Sequence, residues 1–259
     1  DLGMTLDGPW WDSGTAEFVL AGGVYFMSGS LNFGDDGVTY VLIFNKDMQK
    51  TYQNTVPNPY QTARDGEWTL EYFNNVIQGI SSDNGDGQWN ENDTYGFINT
   101  WEYGNTFFIG SDLRYINNTN SDGEITLFLT DKAQMEKALN VLELSQAIYH
   151  NNNASFMSPP GQENLGLTAF KENRGLFYGE VVNHLTPLTQ EMETEFGILP
   201  VPKYDKAQKY YRTWTHDSGS TFSVTSAVKD EQKETMGLML EAYAILSHQK
   251  LKPAYYDTM

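Results

Sequence analysis

The run from Val38 to Asn45 (VTYVLIFN) is almost continuous in apolar and β-branched residues. A strand built from it has no polar face, so both sides must be covered, as happens inside an α/β layer rather than in a half-exposed hairpin. Parallel sheet packing is the expectation. Arg174 to Gly179 (RGLFYG) and Phe196 to Val201 (FGILPV) read as further short buried strands, the second ended by Pro200 and Pro202, and Thr221 to Thr225 reads as another. The covering helices are legible too. Thr69 can cap one running to about Ile80. From Thr130 to Tyr149, Met135, Ala138, Leu139, Leu142, Ala147 and Tyr149 fall at helical spacing, with Thr130 as N-cap. Lys229 to Ser247 repeats the pattern with Met236, Leu240, Tyr243 and either Ala244 or Leu246. Residues 1–37 are rich in Gly, Asp and Trp and read as loops and short strands, while residues 95–116 show no clean period. Strands alternating with long helices indicate an α/β architecture.

Charge and cysteine content narrow the function. With 34 acidic and 16 basic residues the formal net charge is −18, which repels nucleic-acid backbones and anionic lipid. The sequence has no cysteine, so disulfides, thiolate metal sites and sulfur redox chemistry are excluded. No stretch approaches the ~20 consecutive apolar residues of a membrane span. The first residue is Asp1, and a signal or lipid-attachment segment is expected upstream of it or already removed. Aromatic residues make up 14%, including 6 Trp and 16 Tyr. Such rings stack on the apolar faces of sugars, and they also fill ordinary cores. Composition leaves both readings open.

The order of segments resembles a known family. Phe44-Asn45-Lys46-Asp47, then Glu67-Trp68-Thr69, then Tyr95-Gly96-Phe97, then Phe196-Gly197-Ile198-Leu199-Pro200-Val201-Pro202-Lys203-Tyr204 are similar to the extracellular sugar-binding proteins of ABC importers, the maltose-binding-protein-like family. The resemblance implies a type II periplasmic-binding-protein-like α/β fold with two lobes, the second complete and the first partial. Residues 1–37 would belong to the first lobe, 38–195 to the second, 196–250 to the return into the first, and 251–259 to the start of a further hinge crossing. The family's opening βα units have no counterpart in this sequence, so the chain is expected to be a fragment that binds sugar weakly or not at all by itself.

The same resemblance suggests ligand-binding residues. Tyr103 matches the sugar-stacking position of the second lobe, and Trp101, two residues away, shares its side if the backbone is extended. Trp214 is expected to stack and Asp217 to accept hydroxyl protons near the return crossing. Asp36, just before the first crossing, and Trp10 are expected to face ligand from the first lobe. Val181 stands where a stacking Trp would be in a maltodextrin site. His216 beside Asp217 has no accompanying nucleophile and oxyanion arrangement, so no catalytic residue is assigned.

The loop from Ser82 to Asp93 has the spacing of a calcium site. Ser82, Asn84, Asp86, the Gln88 carbonyl and Asp93 fall on ligand positions, and Gly87 on the turn. Ser82 in place of Asp departs from the full pattern. The loop is expected to hold a calcium ion weakly in a structural role, and an Asx/Gly turn that binds nothing is the alternative.

Together these features predict a non-enzymatic carbohydrate-binding component of an ABC transporter. It would take a mono- or oligosaccharide between two lobes and deliver it to permease subunits, as a monomer lipid-anchored at the outer face of the cytoplasmic membrane. No cofactor is required beyond a possible structural calcium ion. A secreted glycoside hydrolase, and a binding protein of the same fold for a non-sugar solute, are the alternatives.

Overall fold

The computed structural model describes residues 2–12, 14–15, 19, 22–32, 34–117, 126–127, 130–150 and 153–258. The chain divides into two compact units, one of residues 1–38, 116–127 and 215–259, the other of residues 39–115 and 128–214.

The smaller unit contains α1 (Gly34–Gly37), the two-stranded β3 (Ile116–Asn117) and β4 (Thr126–Leu127), α9 (Asp230–Leu246) and α10 (Lys252–Thr258). Its core is small: Trp11, Met27 and Ala244 are buried, with Met4, Leu6, Trp10, Val24, Leu31 and Leu240 packed around them. The strand expected at Thr221–Thr225 is reduced to one bridge, in which Phe222 and Met27 exchange backbone hydrogen bonds of 2.7 and 2.9 Å. Residues 252–258, expected to open a further crossing, form α10 within this unit.

The larger unit contains β1 (Tyr40–Asn45), α2 (Lys46–Thr51), α3 (Pro59–Arg64), α4 (Leu70–Ile77), β2 (Tyr95–Thr100), α5 (Tyr103–Gly110), α6 (Lys132–His150), β5 (Ser155–Ser158), α7 (Asn164–Lys171), β6 (Gly175–Val181), α8 (Leu185–Glu191) and β7 (Phe196–Leu199). One five-stranded sheet, ordered β5-β2-β6-β1-β7, organises it. The strand β1 is covered on both faces as its sequence requires. Tyr40, Leu42 and Phe44 enter one core layer and Ile43 the other. Parallel packing holds for β2 with β5 and β6, but β1 runs antiparallel to both of its neighbours, β6 and β7. Burial on two faces demands two covering layers and leaves strand direction open, so the sheet is mixed. Because β7 pairs with β1, residues 196–214 stay in this unit, and the chain leaves it after Trp214 rather than at residue 196.

Aromatic packing dominates the first layer. Trp68, Phe73, Phe97, Phe107 and Phe177 are fully buried, and the Trp68 indole donates to the Pro200 carbonyl at 2.9 Å. Thr69 caps α4 as expected, its hydroxyl accepting from the Tyr72 amide at 3.2 Å. In α6 the cap is Asp131, which accepts from the Ala133 and Gln134 amides, and not Thr130. The buried face of α6 is Ala138, Val141, Ser145 and Ile148, whereas Met135, Leu139 and Leu142 are exposed. The apolar residues picked out by spacing therefore sample two faces of that helix.

Candidate functional site

In open α/β sheets, ligands bind beyond the carboxyl ends of parallel strands, where loops and helix starts converge. Here those ends are Thr100 on β2, Ser158 on β5 and Val181 on β6, beside the amino end of antiparallel β1 at Tyr40. Polar and aromatic side chains gather at this edge.

Tyr40 is the centre of the group. Its amide donates to the Trp214 carbonyl at 3.0 Å and its carbonyl accepts from the Thr213 hydroxyl at 2.6 Å, which fixes the segment of Trp214 beside β1. The Trp214 ring then lies parallel to the Tyr40 ring, with centroids 5.0 Å apart and 4° between planes. The Tyr40 hydroxyl donates to Glu102 Oε2 at 3.0 Å. Just before Glu102, Trp101 is 54% exposed on the turn that leaves β2. An exposed indole and a carboxylate acceptor on the connection after β2, and a partly buried indole on the segment after β7, thus lie at one end of the sheet. Flat apolar rings beside acceptor oxygens are what a polyhydroxylated ring requires.

Behind them stands a buried polar row. Ile98 and Tyr178 are paired and enter the same core layer, so Thr100 and Glu180, two residues further on each strand, share that face. Thr100 also pairs with Ser158 on β5. Glu180 is only 5% exposed, and its Oε1 accepts from the Val181 amide at 2.9 Å. Burial pushes the Glu180 carboxyl above the ordinary carboxylate range and the Glu102 charge adds to this, while the nearby His184 opposes it. Burial likewise raises the Tyr103 and Tyr178 hydroxyls.

The residues singled out by sequence are dispersed. Trp101 and Trp214 join the group described above. Tyr103 does not: it is fully buried in the first core layer, edge-on to Tyr40, Phe97 and Phe107, and its hydroxyl donates to the Val41 carbonyl at 3.3 Å. The reason is local. The chain turns at Trp101 and Glu102 and starts α5 at Tyr103, so the two aromatic residues do not share the side that an extended backbone would give them. The Tyr103 ring lies over Gly179, where an added Cβ would come within 2.6 Å of it. Val181, at the position of the missing Trp, packs on the first core layer.

The remaining candidates are in the smaller unit. Asp36 lies 3.7 Å from Lys252 and bonds the Tyr256 hydroxyl, which burial and Asp36 together push up to about 12. Asp217 is largely exposed, 3.0 Å from His216 Nδ1. Trp10 packs beside Trp11 in the small core. Glu102, Tyr40, Thr100 and Glu180 were not picked out by sequence. A usable signal existed for Glu180, a charge at the end of an otherwise apolar run, since such residues are seldom buried without a role.

The Ser82–Asp93 loop, in the larger unit, is closed by its own side chains. Buried Asp93 accepts from the Asn84 amide at 2.8 Å and the Asn90 amide at 2.7 Å, Asp83 takes the Gly85 amide at 2.6 Å, and Asn84 and Asp86 take the Asp86 and Gln88 amides at 3.0 and 2.7 Å. Ser82 pairs with Thr94 through its backbone, and the Gln88 carbonyl accepts from Asn90 Nδ2 at 3.0 Å. Among the described residues no group of three or more His, Asp or Glu side chains could hold a metal ion. Both Asp93 oxygens, the Gln88 carbonyl, Asn84 Oδ1 and Asp86 Oδ1 are thus all engaged within the loop.

No family model matches the sequence. No curated protein matches it either. Solved structures do match. A cyclo/maltodextrin-binding protein complexed with maltotetraose aligns with a TM-score of 0.51 at 13% identity, covering 95% of this chain and 57% of that one. M. tuberculosis UspC aligns with a TM-score of 0.52 at 11% identity, covering 93% of this chain and 57% of that one. The chain therefore spans little more than half the length of these neighbours, and over that span it has the type II solute-binding-protein fold expected from its sequence.

Proposed function

We propose that this chain is part of an extracellular carbohydrate-binding protein that delivers a mono- or oligosaccharide to an ABC permease. The observation that carries the reading is the group at the carboxyl end of the sheet: exposed Trp101, Glu102 held by the Tyr40 hydroxyl, and Trp214 stacked on Tyr40. The shared fold with a maltodextrin-binding protein supports it. Binding without turnover is the proposed role. Permease subunits are the proposed partners, and a lipid anchor at the outer face of the cytoplasmic membrane is the proposed attachment; no helix among the described residues is long and apolar enough to cross a membrane. The Ser82–Asp93 loop would add a calcium ion of low affinity with a structural role.

The test is a thermal-shift screen of the complete protein against neutral oligosaccharides, maltotetraose included. A ligand that binds only the folded state raises the melting temperature. A saturable rise, confirmed by calorimetry and weakened by Trp101→Ala, is the expected result. Silence across the panel, or release of a chromophore from a glycoside substrate, overturns the reading.

A further inference from the structure

The connections that meet at the carboxyl end of the sheet differ in sequence but share a charge. They are residues 101–102 after β2, 159–163 after β5, Val182–His184 after β6, and 213–214, which bond to the start of β1. Their ionisable side chains are Glu102, Glu163 and His184, and none of them contains Lys or Arg. His184 lies 3.5 Å from Glu180, whose own side chain is on the other face of the sheet. The next basic residue along the chain, Arg212, lies 3.4 Å from Asp112 and over the Tyr210 ring. The end of the sheet is therefore acidic and offers no strong cation to an anionic ligand.

Glu102 is the carboxylate beside the exposed ring. Its Oε2 accepts from the Tyr40 hydroxyl at 3.0 Å, and Tyr40 is buried and stacked on Trp214, so the carboxylate is anchored to the core. Trp101 precedes it on the same turn. An indole face attracts a cation through its quadrupole, and a carboxylate attracts it by charge and hydrogen bonding.

We propose that the carbohydrate taken by this face carries an ammonium group, as in an oligosaccharide of 2-amino-2-deoxyhexoses, with the amine on Glu102 and a sugar ring on Trp101, and that acidic sugars are rejected. This rests on the carbohydrate-binding reading and names the substrate class of the same site. A neutral hydroxyl also donates to Glu102, so the preference is the difference between two donors at one acceptor. The ammonium adds the attraction of opposite charges and of the indole, and against this stands the loss of its hydration. That loss is small here, because Trp101 is 54% exposed and Glu102 is only partly buried. Attraction at a partly exposed pair, reinforced by the ring, gives the amine an advantage of about three- to tenfold. A carboxylate on the sugar meets the same Glu102 as a repulsion.

The experiment is calorimetry of the complete protein at low salt and about pH 6, where a sugar amine is protonated. The probes are glucose, glucosamine and glucuronate, then cellotetraose and fully deacetylated chitotetraose, which differ only in hydroxyl against ammonium at carbon 2, with maltotetraose as the neutral reference. The monosaccharide pair carries a single charge and so limits the general pull of a chain with net charge −18. The amino sugar of each pair should bind about three- to tenfold more tightly, and glucuronate more weakly than glucose. Added salt should shrink the ratio. Glu102→Gln keeps an oxygen for the Tyr40 hydroxyl and removes the charge, so it should bring the ratio near one whatever happens to absolute affinity. Glu102→Lys should invert the order in favour of glucuronate, and serves as the second variant should Glu102→Gln fold poorly. Glu163→Gln changes the net charge by the same amount and should keep the ratio. Equal affinities in wild type, a ratio unchanged in Glu102→Gln, or an equal fall in Glu163→Gln each overturn ammonium recognition, and so does binding of maltotetraose with no response to either amino sugar. Carbohydrate binding survives all of these results and falls only if neutral and amino sugars alike fail to bind.

Discussion

Trp214 lies flat on Tyr40, with ring planes 4° apart, and Tyr40 in turn holds Glu102 through its hydroxyl. One tyrosine thereby positions an indole and a carboxylate that come from connections 112 residues apart in sequence (214 − 102). The two indoles of this group should consequently behave differently on truncation.

Trp101→Ala should weaken carbohydrate binding by roughly 1–3 kcal/mol, as for other truncated aromatic anchors, with stability in denaturant unchanged within about 0.5 kcal/mol because the ring is exposed. Trp214→Ala should lower both affinity and stability, since its ring also packs on the core. Paired titration and urea melts separate the cases. Normal affinity in both variants removes this face as the sugar site.

Tyr103→Ala should cost about 3–5 kcal/mol of stability through the cavity it leaves, and Tyr103→Phe about 0.5–1.5 kcal/mol through loss of the bond to Val41. Affinity of the folded fraction should survive in Tyr103→Phe. A stable Tyr103→Ala protein with abolished binding would return Tyr103 to the ligand.

The buried Glu180 carboxyl makes stability depend on pH. Because the Glu180 carboxyl is raised in the folded state, the folded protein keeps a proton that the unfolded chain has already released. Its contribution is therefore complete below the ordinary carboxylate range and declines as pH rises through the raised value. Glu180→Gln should remove that decline and leave the protein more stable than wild type at neutral pH. Urea midpoints measured from acidic to neutral pH check it, and a slope identical in both proteins counts against the assignment.

In the loop that ends at Asp93, the carboxylate satisfies two backbone amides at once, so Asp93→Ala should destabilise the protein by about 1.5–3 kcal/mol or more. Millimolar calcium should raise the wild-type melting temperature slightly, and a chelator should reverse it. Asp86→Ala should abolish that response while costing little stability, because Asp86 is exposed. A melting curve indifferent to calcium leaves the loop closed by Asx turns alone.

Much of the larger unit could be read from local chemistry. The strands at β1, β6 and β7 announce themselves as apolar runs, and Thr69 marks the start of α4 because a hydroxyl there has an orphan amide to accept. The strand β2 is buried throughout and yet was illegible: Gly96, Asn99 and Thr100 break the apolar run. Gly96 is needed because a Cβ there would collide with the Ile77 backbone, a contact far away in sequence. Misreading Tyr103 had the same origin. Whether residues 101–103 continue a strand or turn into a helix decides which aromatic reaches the surface, and the four or five residues involved contain no proline, no strong cap and no periodic pattern to mark the turn. Glu180 and Thr100 became neighbours only through the register of β2 and β6, information that no single segment contains.

Trp68 is sealed in the core with its indole N–H committed to the Pro200 carbonyl, while Trp101 is open to water and Trp214 half so. Optically this splits the emitters: a shielded indole supplies a steady blue-shifted signal on which changes at the sheet's end are superimposed. The molecule consequently carries its own reporter. Quenching by iodide should reach Trp101 and the exposed Trp89 and spare Trp68, so occupancy of the proposed sugar face can be followed in unlabelled protein by the loss of the Trp101 share of quenching.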